Sequence, residues 1–193
     1  MIFELTPSQT VGPYFAIGLP WPQGPDAVAP GTPDAITIGG MVLDGAGEPV
    51  PDHLLEFWQP DPAGRFADVH GHGGPSQLTG FRGFARCGAE VGAGSWELRT
   101  VKPGPVPGPA GAMQGPHIAV SVFARGMLNR RVTRIYFADE ERANAQDPVL
   151  AHVPDARRAT LLAQRDGDRV YRFDIRIQAP ASAPERETVF FAI

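Results

Sequence analysis

Cysteine is nearly absent from this sequence of 193 residues, and it contains no long apolar run. The single cysteine, Cys87, excludes an internal disulfide and fits a reducing compartment. No apolar stretch approaches the roughly 20 residues that cross a membrane, and residues 1–4 lack the basic and apolar parts of a signal peptide. The formal net charge of -4 predicts no general attraction to nucleic acid or anionic membranes. We therefore expect a cytoplasmic protein.

Several motifs that carry common chemistries are missing as well. The sequence has no internal repeat, no glycine-rich phosphate loop of the P-loop or dinucleotide type, and no G-x-S-x-G nucleophile motif. Its 23 glycines and 21 prolines instead punctuate short apolar runs, which is typical of a mostly β protein with many turns. A chain of 193 residues is most simply one domain with a sizeable core.

Alternating side chains predict a series of short strands. In one of them the apolar Trp96 and Leu98 alternate with Glu97 and Arg99, as in a half-buried strand. Other strands are apolar on both faces, as in a sandwich or at a subunit contact. The predicted strands are 36–43, 53–59, 83–87, 95–101, 117–123, 133–138, 160–165, 169–177 and 188–193, and the predicted helical pieces are 139–146 and 155–159. We therefore predict a mostly β fold, a single-domain β-sandwich over residues 36–193 with short helices.

Residues 1–35 are predicted to form an extended N-terminal arm. Prolines recur throughout this segment and block both helix interiors and sheet ladders. The arm nevertheless carries large apolar side chains, among them Phe15, Ile17 and Trp21, and it is too apolar for a solvated tail. It must therefore lie on a protein surface. That surface is either its own domain or a partner chain, and the sequence leaves both open.

The stretch from 102 to 137 is laid out like a metal site with most of its ligands missing. A Pro/Gly-rich loop leads into an apolar strand, and strand side chains on one face repeat every second residue. Two imidazoles on one face would be written His-x-His, but the chain has His117, Ile118 and Ala119. A lone histidine at the head of such a strand is more often a hydrogen-bonded structural group than a metal ligand.

The same stretch resembles a known family. KPGPVPG at 102–108, GPHIAVSVFARG at 115–126 and RIYF at 134–137 are similar to the intradiol aromatic-ring dioxygenases. The resemblance extends from TPSQTVGPYF at 6–15 to ETVFF at 187–191, so it covers nearly the whole chain. It implies a prealbumin-like β-sandwich and a part in the cleavage of an ortho-dihydroxybenzene with O2.

In the iron-bearing subunits of that family, two tyrosines and two histidines bind ferric iron. By resemblance, Val106 stands at the position of one tyrosine, His117 at the first histidine and Ala119 at the second. The other tyrosine is also missing, because no tyrosine lies between Tyr14 and Tyr136. The resemblance thus implies an iron-free alpha subunit with no metal ligand or catalytic residue of its own. Its expected partner is a homologous beta subunit that holds the Fe(III), in an assembly of alpha-beta pairs that converts protocatechuate to 3-carboxy-cis,cis-muconate in the beta-ketoadipate pathway.

The resemblance also implies which residues of this chain line the partner's substrate pocket. They lie in the N-terminal arm and directly after the strand 117–123, and they are Thr10, Gly12, Pro13, Tyr14 and Arg125. The Gly-Pro pair would let backbone approach the ligand closely, and Tyr14 could offer a hydroxyl and a flat face. Arg125 could hold a carboxylate in its fork. Ordinary packing or turn geometry is the alternative explanation at each position.

Two other functions stay open at the level of sequence. One is a non-catalytic β-sandwich binding or scaffold module, because a fold alone does not settle function. The other is a free-standing dioxygenase that uses His70 and His72, the one His-x-His in the sequence. Glycines beside these two histidines leave the imidazoles unfixed, whereas a good metal site needs support from surrounding groups. A solvated loop is the simpler interpretation of that segment.

Overall fold

Strands account for most of the regular structure in the computed structural model, which describes residues 7–67, 76–89, 94–108 and 111–192. The strands are β1 Ala35–Leu43, β2 Leu54–Trp58, β3 Phe84–Gly88, β4 Ser95–Val101, β5 Val106–Pro107, β6 Met113–Gln114, β7 His117–Phe123, β8 Arg131–Phe137, β9 Leu162–Arg165, β10 Val170–Arg172 and β11 Ile175–Arg176. The α-helices are α1 Phe15–Gly18, α2 Glu141–Gln146 and α3 Asp155–Arg158, and short 3-10 turns cover Leu150–His152, Ala159–Leu161 and Pro184–Arg186. No helix in these ranges has the length and apolar character that a membrane crossing requires.

The strands form two layers that β9 connects. In one layer β3, β2, β7 and β8 pair antiparallel in that order. In the other layer β1 pairs antiparallel with β4 on one side, and parallel with β10 and β11 on the other. β9 joins the layers because it pairs parallel with β8 and antiparallel with β10. The small hairpin of β5 and β6 lies outside this path and carries the Pro/Gly-rich loop.

The inward faces of both layers form one hydrophobic core. On β7 the residues Ile118, Val120 and Val122 are fully buried, and they share this core with Ile38 of β1 and Leu98 of β4. Each such aliphatic side chain contributes about 1.5–3 kcal/mol by leaving water. Strand side chains alternate, so the other face of β7, which begins at His117, points away from the core.

Most sequence-based strand predictions are confirmed, and the fold is mostly β as expected. The predicted strand 169–177 is split into β10 and β11, because Asp174 Oδ1 accepts the Met41 N–H of β1 over 2.9 Å in place of a ladder carbonyl. The predicted strand 188–193 is wrong over its described part. Residues 188–192 make an isolated bridge between Phe191 and Val132, while the Val189 carbonyl accepts a bond from the Thr133 hydroxyl instead of extending a ladder.

The described part of the N-terminal segment has two kinds of environment. Asp26 bridges to Arg99 on β4, and Ala27 and Val28 are buried against the sandwich. Before that point, residues 7–20 lie mainly on the outside, where the one-turn helix α1 passes over Gly88 at the end of the edge strand β3. Among the described residues of the arm, the outward-facing portion is therefore 7–20.

Candidate functional site

The outer face of β7 carries the position at which the resemblance places a metal. His117 and Ala119 lie on this face, and the cross-strand partner of Ala119 on β8 is Arg134. Directly opposed residues lie on the same side of a sheet with their Cβ atoms about 5 Å apart. Any ion held between positions 117 and 119 would therefore lie beside a guanidinium. Val106, at the end of the neighbouring loop, is 7% exposed and offers only a hydrocarbon surface.

A hydrogen-bonded network occupies the surroundings of His117. Arg134 Nη1 donates to Gln114 Oε1 over 2.6 Å and to the Tyr136 hydroxyl over 3.1 Å. The Tyr136 hydroxyl donates in turn to Oδ1 of Asp147 over 3.3 Å. Asp147 is 1% exposed, and its other oxygen accepts the Gly115 N–H over 2.7 Å. The network therefore ties the start of β7, the strand β8 and the segment after α2 together.

Asp147 also fixes the chain that follows it. Its Oδ1 accepts the backbone N–H groups of Val149 and Leu150, both over 2.8 Å. These N–H groups open the 3-10 turn Leu150–His152 and would otherwise have no acceptor within the turn. A carboxylate that accepts three backbone N–H groups and a phenol has its lone pairs engaged by the protein itself.

His117 is held as a neutral ring by the same surroundings. Its Nδ1 lies 2.8 Å from the carbonyl oxygen of Gly115, so this nitrogen carries the hydrogen. Burial, reinforced by the positive charge of Arg134, lowers the pKa of His117 to about 4. The ring centroid of Tyr136 lies 5.4 Å from that of the imidazole. Burial raises the pKa of Tyr136 to about 12. Both rings are therefore uncharged at neutral pH, and Tyr136 is not a phenolate.

These residues do not fit the ferric iron that, by resemblance, the iron-bearing subunits hold at the same positions. One neutral imidazole remains as a donor, the alternate strand position is an alanine, and a guanidinium lies beside them. Within the described ranges, no three His, Cys, Asp or Glu side chains come together as a potential metal site. His70 and His72 lie outside the described residues.

The predicted pocket residues lie at the other end of β7. Thr10 and Arg125 come together there, because Thr10 Oγ1 accepts the Gly126 N–H over 2.9 Å. Ser8 adds a second link, donating from its hydroxyl to Asn129 Oδ1 over 3.3 Å. The beginning of the arm is thus fastened to the loop between β7 and β8.

Gly12, Pro13 and Tyr14 continue the arm on the surface. Gly12 has φ +71, a conformation that favours glycine, and the space around it is open. Tyr14 is the N-cap residue of α1, its carbonyl accepts N–H bonds from Ile17 and Gly18, and 79% of its surface is exposed. Ile17, one turn later, is 76% exposed. An aromatic and an aliphatic side chain at this spacing form an uncovered apolar face on one side of the turn.

The two regions are too far apart to form one site. Arg125 follows His117 by eight positions along and just beyond β7, which corresponds to roughly 25 Å at the rise of a strand. The structure therefore brings Thr10 together with Arg125, with Gly12–Tyr14 next along the arm, and separates all of them from His117.

Sequence reasoning missed several residues of both regions. At the arm these include Asp52, whose Oδ2 lies 3.1 Å from Arg125 Nε. Around His117 they include Gln114, Arg134 and Asp147. No local sequence signal indicates Asp52, because positions 52 and 125 come opposite one another only through the β2–β7 register that pairs Leu54 with Phe123.

Comparison with known proteins gives the family. The profile of the family described as "Dioxygenase" matches residues 11–179. The protocatechuate 3,4-dioxygenase alpha chain of Burkholderia cepacia is 46% identical over 203 residues, covering 97% of both chains. The beta chain of the same organism's enzyme is 32% identical over 171 residues, covering 82% of this chain and 72% of that one.

Solved structures agree with these sequence relatives. The dioxygenase domain of a dioxygenase carbohydrate-binding protein fusion from Streptomyces sp. SirexAA-E superposes with a TM-score of 0.57 at 30% identity, covering 90% of this chain and 97% of that one. The family profile spans most of the chain, and the first relative is similar over nearly its whole length. This chain belongs to the intradiol dioxygenase family.

Proposed function

We propose that this chain is the iron-free alpha subunit of a protocatechuate 3,4-dioxygenase and that it works only beside a homologous, iron-bearing beta subunit. One observation carries the proposal. The residues expected to line a substrate pocket gather at the outer end of β7, roughly 25 Å from the chain's own His117. A pocket that they line therefore belongs to another chain.

The reaction of the assembly would be an intradiol ring cleavage. The C–C bond between the two hydroxylated carbons of the ortho-diphenol would break and each of these carbons would gain one oxygen atom of O2, with the ferric iron of the beta subunit supplying the activation. Protocatechuate would thereby give 3-carboxy-cis,cis-muconate. The chain described here would contribute binding and orientation, and no group that reacts.

Thr10 is suited to donate a hydrogen bond into such a pocket. A hydroxyl has two acceptor lone pairs and one hydrogen. In Thr10 the oxygen accepts the N–H of Gly126 over 2.9 Å and that of Gly12 over 3.4 Å. Because both lone pairs are used within the chain, the hydrogen is left to point outward. An oxygen of a bound substrate or of the partner would accept it.

Arg125 and Tyr14 would supply charge and shape. The Arg125 side chain is 60% exposed, so its terminal nitrogens can reach the carboxylate that distinguishes protocatechuate from catechol. Tyr14 presents a ring and a hydroxyl that its own domain leaves uncovered. Gly12 and Pro13 would let the arm pass close to the bound molecule.

Within the arm over residues 1–35, the segment before Asp26 would cross to the beta subunit, because Ala27 and Val28 are already buried against this chain's own sandwich. An exposed apolar face at Tyr14 and Ile17 is unusual on a protein that works alone, and burial against a partner removes it from water. Both alpha and beta relatives are similar to this chain, as expected of two homologous subunits that pair. We place the assembly in the cytoplasm, where one buried cysteine is no liability.

Co-expression with the iron-bearing subunit tests the proposal. Tyr14→Ala in the complex should raise the KM for protocatechuate or lower kcat by about two- to tenfold, the range expected for an aromatic contact, while the iron content stays constant. Val170→Ala, at an exposed apolar position on β10, is the matched control and should change neither value. Loss of iron from the Tyr14 variant would point to a structural role. Failure of the two chains to co-purify would leave the scaffold-module alternative.

A further inference from the structure

The sheet register places an acidic residue opposite Arg125. β2 and β7 run antiparallel, with Trp58 paired to Ala119 and Leu54 paired to Phe123. Continuing the same register by two residues past the end of each strand pairs Asp52 with Arg125. The two side chains meet there, with Arg125 Nε 3.1 Å from Asp52 Oδ2. Opposite charges in this arrangement attract one another across the strands.

The position of Asp52 is held by its neighbours. His53 is fully buried, and its Nδ1 lies 2.9 Å from the Val50 carbonyl, which closes the turn around Asp52. The His53 carbonyl accepts the Ala89 N–H over 3.1 Å, which ties the same turn to the end of β3. The Asp52 side chain is 18% exposed, whereas that of Arg125 is 60% exposed. The carboxylate is thus the more buried member of the pair and the guanidinium is the exposed one.

The Asp52 carboxylate lies beside Nε of the Arg125 guanidinium and not beside its terminal nitrogens. A guanidinium offers five N–H donors in a rigid plane. The Asp52 carboxylate makes an ion pair at Nε without a hydrogen bond, and it leaves the two terminal nitrogens for a second carboxylate, which they can bind in a fork. On the other side of the loop, Thr10 anchors Gly126. The backbone beside Arg125 is therefore fixed by Thr10, and its exposed guanidinium is attracted by the Asp52 carboxylate.

We infer that Asp52 is a positioning residue, which aims the terminal nitrogens of Arg125 at the carboxylate of a ring substrate in the partner's pocket. It thereby contributes to the preference for a carboxylated ortho-diphenol over an uncharged one. The inference rests on the proposed function, in which this end of β7 borders the pocket of the beta subunit.

The test uses the complex of both subunits with two substrates, protocatechuate and catechol. Asp52→Ala should raise the KM for protocatechuate by about three- to fivefold, the worth of one partly exposed ion pair, with kcat and iron content unchanged. Asp52→Asn removes the charge at nearly the same side-chain size, so it should raise the KM for protocatechuate by about as much as Asp52→Ala. Neither variant should alter the KM for catechol. Asp168→Ala, which breaks the exposed pair with Arg165, is the matched control and should have no effect.

A double substitution separates this inference from the proposed function. Arg125→Ala should raise the KM for protocatechuate, and adding Asp52→Ala to it should cause no further rise, because the two residues act as one unit. If Arg125→Ala has its effect and Asp52→Ala has none, Asp52 does not position the arginine, while the proposed function stands. Equal losses on both substrates would mark Asp52 as a structural residue and overturn the inference. If Arg125→Ala leaves the KM unchanged, the pocket role of Arg125 is wrong as well.

Discussion

Protonation of His117 should make the protein less stable between pH 6.5 and about 4. Burial first, and the charge of Arg134 second, lower the pKa of this imidazole from 6.5 to about 4 in the folded chain. Between those two pH values the unfolded chain binds a proton that the folded chain does not. Stability therefore rises with pH across this interval, is fully present above pH 6.5, and is lost as the pH falls towards 4.

The size of the effect follows from the two pKa values. A tenfold difference in proton affinity is worth about 1.4 kcal/mol, so the whole interval amounts to about 3 kcal/mol. Between pH 7 and pH 5, where the sample is easier to handle, about 2 kcal/mol is lost. For a chain of this length that corresponds to a fall of about 4–8 °C in the thermal midpoint. Calorimetry of the assembled complex at the two pH values measures it.

His117→Gln is the informative variant because glutamine can donate to the Gly115 carbonyl but does not titrate. Between pH 7 and pH 5, the thermal midpoint of the His117→Gln variant should fall by clearly less than the thermal midpoint of the original protein. The variant should still lose some stability at low pH, because burial also lowers the pKa of His53. His152→Gln, at an exposed histidine, controls for the substitution itself. An identical pH dependence in His117→Gln and the original protein would refute the reasoning.

Three further predictions concern the chain as a whole. Asp147→Ala removes a carboxylate that accepts three backbone N–H groups, and differential scanning should show a midpoint lower by about 10 °C. Burial raises the pKa of the Cys87 thiol, so a thiol reagent should react with it only after unfolding in urea. Expressed without a beta subunit, the chain should be colourless, inactive and poorly soluble, and a clear, monodisperse monomer in light scattering would contradict the need for a partner.

Local pattern was sufficient to predict the central strand of the candidate site. Glycine and proline directly before His117 mark the start of the strand, and apolar residues then alternate up to Phe123. The predicted and observed β7 have the same bounds. The same reasoning placed β4 correctly at Ser95–Val101. In both strands the side-chain alternation and the flanking turn residues point to the same boundaries, and tertiary contacts do not override them.

Cross-strand and cross-loop partners could not be predicted in this way. Asp52 faces Arg125 because β2 pairs with β7, and nothing near either residue in the sequence specifies that pairing. Asp147 reaches Gly115 only after α2 has brought the chain back over the start of β7. The segment after residue 187 has the apolar pattern of a strand, yet hydroxyl groups take its backbone bonds. These features depend on register and side-chain competition, which a window of local sequence does not contain.

The arrangement around His117 also predicts why iron binding would be hard to restore. The pair of substitutions Val106→Tyr and Ala119→His supplies one phenol and a second imidazole, but Arg134 remains directly opposite position 119. A triply charged ion about 6 Å from a guanidinium meets a repulsion of roughly 8 kcal/mol at an effective dielectric of 20. The double variant, purified and analysed by plasma mass spectrometry, should therefore contain no stoichiometric iron.

Removing the opposing charge is the decisive addition. When Arg134→Ala joins the two substitutions, the triple variant should take up measurable though incomplete iron, since three protein donors are then present without the cation beside them. His117→Ala in that background should abolish the uptake, which shows that the metal binds through the original imidazole. Ring cleavage should still be absent, because the other tyrosine position has no ligand. Stoichiometric iron in the double variant would mean that the guanidinium does not govern this site, and that the missing donors alone account for the loss of the metal.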